Sequence, residues 1–285
     1  MRPGGPLATR RRLGSRTGRA VAFTLAALGA AVMLVVLVYA LLTSFKAPAE
    51  ALRTPIQWLP RTAQWGNYDQ PFHLVAYGRY LINSAIVGIS VTGLNVITCT
   101  LAGFSLAKIR FPGRNVFFAI VMITLMIPVE VIYVPLYQLV YQLGWVNSYA
   151  GLILPAGTSA FGVFLMRQAI ISVPDELLEA ARIDGAGILR TLVRIVVPMV
   201  KGPVATLALF IFMTNWDSFL WPLLVASSDS FRTVPVGLAA MQSEFGTSYP
   251  VMMAAAFISA APTVLLFIFL QRRFVSGVLA VTTQR

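Results

Sequence analysis

Along this 285-residue chain the apolar residues come in runs of about twenty, separated by short polar connections. Runs of that length read as helices long enough to cross the ~30 Å hydrocarbon layer of a bilayer. Six are expected, over residues 20–42, 81–106, 115–140, 148–170, 203–225 and 251–270. Pro128 and Pro135 fall in the third run and Pro155 in the fourth. Membrane helices tolerate such kinks because neighbours satisfy the freed carbonyls. At Pro135-Leu136-Tyr137-Gln138 the outer end of the third span is open between a continuing helix and an interfacial turn.

Composition supports lipid as the solvent. Hydrophobic residues make up 58% and charged residues only 11%, against roughly 25% charged in a soluble domain. So few charges cannot cover a water-soluble protein of this length. The net charge of +12 is spread in short clusters between the apolar runs, not gathered in one patch, so nucleic acid is not an expected partner. The connections between runs fix an orientation. One alternate set keeps only Lys46, Arg53, Arg61, Arg79 and Arg232, and the other holds the remaining 17 of the 22 Lys and Arg. By the positive-inside rule the rich set is cytoplasmic, so both termini are expected there, in a multi-pass bacterial or archaeal cell-membrane protein.

The domain organisation follows. Residues 1–19 form a basic cytoplasmic tail, disordered and held by anionic membrane lipids; 20–42 is the first span, and 43–80 an extracytoplasmic loop. Residues 81–273 form the core, and 274–285 a cytoplasmic C-terminal tail. Arg10-Arg11-Arg12 ahead of an apolar stretch, with Ala47-Pro48-Ala49 beyond it, resembles an export signal. Its apolar stretch is longer than the 7–15 residues of a signal core, so an uncleaved span is the expectation. The outer loop, carrying Pro48, Pro55, Pro60, Pro71, Trp58, Trp65, Tyr68 and Phe72, is expected to pack on helix ends or meet a partner outside. One cysteine (Cys99) and one histidine (His73) leave no disulfide framework and no His-pair metal motif, so no metal or cofactor is expected in the chain.

The longest cytoplasmic connection, 171–201, is built differently from a linker. Ser172 and Asp175 stand at capping-box spacing, with Pro174 in the first turn. Asp175, Glu176 and Glu179 sit towards the positive end of the helix dipole. Leu177, Leu178, Ala180, Ala181 and Ile183 supply an apolar side on which two alanines permit close approach. Gly185 is placed for a left-handed stop. A second stretch, 187–197, opposes Arg190 and Arg194 to Leu189, Leu192, Val193 and Val196 and is expected to break at Pro198. Periodicity alone leaves this as an amphipathic connection lying on the membrane.

The order of residues adds a partner. Glu179-Ala180-Ala181, then Asp184-Gly185-Ala186, then Ile195 and Pro198 resemble the signature loop of ABC importer permeases. Asn83-Ser84, Pro128, Pro135-Leu136-Tyr137, Pro155 and Trp216-Asp217-Ser218-Phe219-Leu220-Trp221-Pro222-Leu223 are similar to the carbohydrate-uptake branch, in particular to the shorter, six-helix member of the maltose-type permease pair. The chain departs from that branch at Asp217-Ser218, at Glu130 and in its ending, 279–285. The resemblance implies an all-α integral membrane protein of six transmembrane helices, with a cytoplasmic coupling helix between the fourth and fifth. It implies a sugar or oligosaccharide as solute. It also implies a second permease subunit, ATP-binding cassette ATPase subunits and an extracytoplasmic solute-binding protein as partners. Glu179, Ala180, Ala181, Asp184, Gly185 and Ala186 would carry the coupling. No G-x-x-x-x-G-K-[ST] segment occurs in the chain, so ATP hydrolysis is expected in a partner and no catalytic residue here.

Glu130 and Asp217 are the carboxylates within expected spans, each costing roughly 2.5–3.5 kcal/mol at mid-membrane unless it faces protein or water. With Asn215 and Asn83 they form the candidate translocation pathway, against the alternative that such side chains only join helices. A secondary transporter using Glu130 and Asp217 as its ion site is the rival reading, and it leaves the 171–201 loop without a purpose. An intramembrane enzyme lacks a nucleophile–base pair to build on.

Overall fold

The computed structural model describes residues 16–245 and 248–282, and among them every regular element is helical. Residues 1–15 of the expected basic tail and 283–285 of the C-terminal tail lie outside the described residues. The first two spans are single helices, α1 (Arg16–Ser44) and α2 (Tyr77–Lys108). The third is a pair, α3 (Arg114–Thr124) and α4 (Val129–Gln142), bent by 100° at the break. Pro128 precedes α4 and disfavours a helical residue ahead of it. Pro135 stays inside α4, which settles the outer end of this run as continuing helix.

The fourth run is also divided, into α5 (Tyr149–Ile153) and α6 (Ala160–Ile171). Two helices follow in the long connection, α7 (Asp175–Ile183) and the helical segment α8 (Ile188–Met199). The chain does not break at Pro198 as the sequence suggests. Leu192–Val196 forms π-helical turns whose wider spacing accommodates the proline ring, and the bend of 85° comes at Val200. Beyond it lie α9 (Lys201–Trp216) and α10 (Leu220–Val225) where one span was expected. Pro222 explains the division, because its ring excludes the carbonyl of Ser218 from a continuous helix.

Two features were not expected from the pattern. α11 (Val234–Phe245) occupies the connection before α12, and α12 (Tyr249–Thr282) runs through most of the stretch read as a C-terminal tail. By length and composition alone α1, α2 and the first part of α12 can each cross a membrane, and the α3–α4 and α8–α9 pairs bring the number to five.

The core is organised on α2. It packs along α6 and α9 over Val91, Cys99, Met166, Ile170 and Leu207, all fully buried. Close approach is possible because glycines face the contacts. A Cβ on Gly103 would stand 2.8 Å from the Arg167 amide nitrogen and the Met166 Cβ, and one on Gly162 would stand 2.6 Å from Cys99 Sγ. A second, smaller cluster joins α2, α11 and α12 through Tyr77, Tyr80, Val234, Met241 and Val251. The outer loop packs on α12 through short helical turns. Its buried Lys46 donates 2.6 Å to the Gln57 carbonyl and lies over the Tyr39 ring, while Asn67 Nδ2 donates to the Ser44 and Lys46 carbonyls. α1 packs on α12 and leaves its apolar side chains exposed.

Candidate functional site

The helix that the sequence marked for docking is held clear of the bundle from one side. α7 buries Leu178 and Ala181 against the core and exposes Leu177, Glu179, Ala180, Ile183 and Asp184. Ile183 is 88% exposed, a large apolar side chain left uncovered on that face. Of the six expected coupling residues, four are on the open surface, including Gly185; Ala186 is half-buried and Ala181 is buried. The two alanines therefore serve opposite faces.

The ends of α7 are fixed by different means. Its C-terminus closes as a Schellman motif: Gly185 takes φ +75°, its N–H donates to Arg182 O (3.0 Å), and Ala186 N–H donates to Ala181 O (2.8 Å). At its N-terminus the expected capping box is absent. Pro174 is the cap and makes no side-chain bond, while Ser172 Oγ donates to the Ala169 carbonyl at the end of α6. Asp175 instead takes Lys108, whose ammonium lies 2.7 Å from its carboxylate. A full cation nearby outcompetes the chain's own neutral amides for that carboxylate. Lys108 also donates to the carbonyls of Ile171 and Val173, so one side chain from α2 ties the end of α6 to the start of α7. The Lys108 hydrogen bond and charge, with Arg110 beyond, hold the Asp175 carboxyl below the usual carboxylate range. Lys108 carried no signal in the sequence beyond a basic residue at a span end.

The second feature lies inside the bundle. A cavity of about 270 Å³ is bounded by α2, α4, α6, α9 and α10. Three helix breaks lie at its edges, across 125–128, across 154–159 and across 217–219. Irregular backbone at membrane depth persists where protein or a polar cavity satisfies it. Here α2 does part of that. Asn95 Nδ2 donates to the Val91 and Ala156 carbonyls (2.9 and 2.7 Å), and Thr98 Oγ1 to the Gly157 carbonyl (3.0 Å).

The four candidate pathway residues are not brought together. Asn215 lines the cavity and donates one amide hydrogen to Ile211 O at 2.9 Å. Asp217, two residues on, is exposed at the break and does not line it. Glu130 is exposed in the first turn of α4, beside Val129, which does. Asn83 is buried elsewhere: its Nδ2 donates to the carbonyls of Ser230 and Arg232 (3.0 and 2.9 Å), and its Oδ1 accepts from Tyr149 OH at 2.7 Å. Beside it Tyr80 OH donates to Asp229 at 2.7 Å, and Ser84 Oγ accepts from the Val234 amide. Asn83 thus holds the 226–234 connection down on α2 and α5. Asn95 and the aromatic walls of the cavity went unnoticed in the sequence; a lone Asn in the middle of an apolar run was the available signal for the first.

Residues 99–279, a stretch that holds α7 and every residue lining the cavity except Asn95, match the family described as binding-protein-dependent transport system inner membrane component. The chain belongs to that family. It is accordingly a multi-pass membrane protein of a transport system. Among curated relatives, this family member is 36% identical over 240 residues to the arabinooligosaccharides transport system permease protein AraQ of Halalkalibacterium halodurans, covering 83% of this chain and 86% of that one. It is 37% identical over 239 residues to the sn-glycerol-3-phosphate transport system permease protein UgpE of Yersinia pestis, covering 82% and 83%. Its fold is that of a chain of a bacterial ABC transporter that imports the acidic polysaccharide alginate, with TM-score 0.82, 21% identity, and 95% and 100% of the two chains covered.

Proposed function

We propose that this family member is one permease subunit of an ATP-driven importer for a sugar or oligosaccharide. The observation that carries the reading is α7: a short helix with a Schellman stop, anchored by Lys108 and presenting Leu177, Glu179, Ala180, Ile183 and Asp184 outward. A helix held this way is suited to a cleft in another subunit. The permeases of the arabinooligosaccharide and glycerol-phosphate systems among its relatives support polyhydroxylated solutes.

In this reading the chain crosses the membrane six times, with α3–α4, α5–α6 and α9–α10 as broken third, fourth and fifth spans, and α7–α8 lie in the cytoplasm with both termini. The chain works with a second permease subunit, two ATPase subunits that bind α7, and an extracytoplasmic binding protein that delivers solute to the outer face. ATP-driven closure moves α7 and, through Lys108, the ends of α2 and α6, so that the bundle passes between two packed states. Glu179, Ala180, Ala181, Asp184, Gly185 and Ala186 carry the coupling; Asn215 faces the solute route, Asp217 and Glu130 face the second permease, and Asn83 secures the outer connection.

The test is copurification. Glu179→Lys should leave the chain in the membrane, lose the ATPase subunit and abolish uptake; wild-type uptake by that variant would remove α7 from the coupling route. A reporter fused near Gln64 should be active only outside the cytoplasm, and cytoplasmic activity there would reverse the orientation.

A further inference from the structure

The cavity between the broken helices has a chemistry narrower than its position requires. Its walls carry two aromatic pairs, Tyr133 with Trp221 (ring centroids 5.5 Å apart) and Phe161 with Phe210 (4.6 Å). Among the described residues that line it, none is charged. Neutral polar groups come from Asn95 on α2, Tyr133 on α4, Thr158 and Ser159 ahead of α6, Thr214 and Asn215 at the end of α9, and Ser218 in the break beyond it.

Several of the donors around the cavity are already committed. Both amide hydrogens of Asn95 go to backbone carbonyls. The Gly162 N–H in the first turn of α6 is capped by Ser159 Oγ at 3.0 Å. Thr214 Oγ1 donates to Phe210 O at 2.8 Å. Asn215 keeps one N–H and its carbonyl oxygen beyond the bond to Ile211, a donor and an acceptor side by side. Such a pair matches two neighbouring hydroxyls. A phosphate or carboxylate here would meet neutral donors and aromatic faces, with no cation among the described lining residues to offset its desolvation.

We propose that this cavity is a subsite of this chain's own for one uncharged sugar ring, with the ring's C–H faces against Tyr133 and Phe210 and its hydroxyls on Asn215 and Ser218. The volume of about 270 Å³ holds one monosaccharide unit and not a chain of them. The assignment rests on the importer reading above and goes beyond it in two ways. It places solute contact in this subunit, and it separates neutral saccharides from the phosphorylated and acidic solutes of similar transporters.

The experiment uses the complete transporter in proteoliposomes with its binding protein, offered arabinotriose, maltotriose and sn-glycerol 3-phosphate. A Thr214→Cys variant is labelled with N-ethylmaleimide; the native Cys99 is fully buried. A neutral saccharide should be taken up and should slow labelling of the new thiol, while glycerol 3-phosphate does neither. At equal amounts of assembled complex, Asn215→Leu should raise the half-saturating saccharide concentration about tenfold, and Asn215→Gln should recover most of it. Uptake of glycerol 3-phosphate, or protection by it, would overturn the assignment. Saccharide uptake without protection and with unchanged half-saturation in Asn215→Leu and Phe210→Ala would overturn the subsite and leave the importer standing. Failure of the chain to assemble with an ATPase subunit would instead remove the importer reading beneath it.

Discussion

Lys108 and Asp175 join the last turn of the central helix to the first residue of the docking helix across 2.7 Å. The lysine side chain is 8% exposed and the aspartate 72%, so the cation is fixed by the bundle and the carboxylate is the movable partner. The start of α7 is thus tied to α2 directly, and to the end of α6 through the carbonyls of Ile171 and Val173 that the same ammonium holds.

Removing that joint should uncouple rather than unfold. Lys108→Met keeps the buried stem and removes the three hydrogen bonds. ATP hydrolysis by the assembled transporter should continue while sugar moved per ATP falls severalfold, and Lys108→Arg should restore part of the ratio. An unchanged ratio in the methionine variant would assign transmission to α8 alone.

The pair also fixes a pH response. The Asp175 carboxyl is held below its ordinary value of about 3.9. Its contribution is therefore fully present above that value and is lost as pH falls through the depressed one. Between pH 5 and 8 uptake should show no inflection owed to this group. Asp175→Asn should lower the level of uptake across that range without changing the shape of the profile.

The stop at Gly185 makes a separate demand. At φ +75° a side chain costs about 1–2 kcal/mol. Gly185→Val should loosen the last turn of α7 and weaken retention of the ATPase subunit on an affinity column. Gly185→Asn should be milder, since asparagine enters this region more readily. Equal retention in both variants would mean that the Schellman turn does not shape the docked surface.

Asn83 provides the contrast to Asn215. Asn83→Leu removes the bonds that its side chain makes to the Ser230 and Arg232 carbonyls and to the Tyr149 hydroxyl, at roughly 0.5–1.5 kcal/mol for each hydrogen bond lost. The variant should unfold at lower temperature in detergent while the surviving transporter keeps its half-saturating solute concentration. A changed half-saturation at unchanged stability would return Asn83 to the solute route.

The sequence carried the long helices and the short helix over Asp175–Ile183 well, because both depend on local signals. Twenty apolar residues and a glycine after Ile183 say what they are without reference to the rest of the chain. The helix breaks are a different matter. Pro128, Pro155 and Pro222 mark where the ladder fails, but whether it bends or opens depends on who takes the freed carbonyls, and Asn95 and Thr98 lie about sixty residues from those they cover. The capping box failed for a similar reason: the spacing was right, and a lysine sixty-seven residues away was the stronger partner. Asn83 and Asn215 look alike in sequence, each an asparagine in a span. Only packing separates a clamp from a cavity wall.

The breaks also constrain how the protein is made. α5 and α10, at five and six residues, reach only about 7–9 Å at 1.5 Å per residue, far short of the bilayer core. Neither can partition into lipid alone while its frayed carbonyls are bare. The groups that cover the 154–159 break belong to α2, which leaves the ribosome first. Order along the chain thus puts α2 in place before the segment whose carbonyls it covers. In pulse-labelled nascent chains, Asn95→Leu with Thr98→Val should leave residues 148–170 accessible to protease while the first two spans stay integrated.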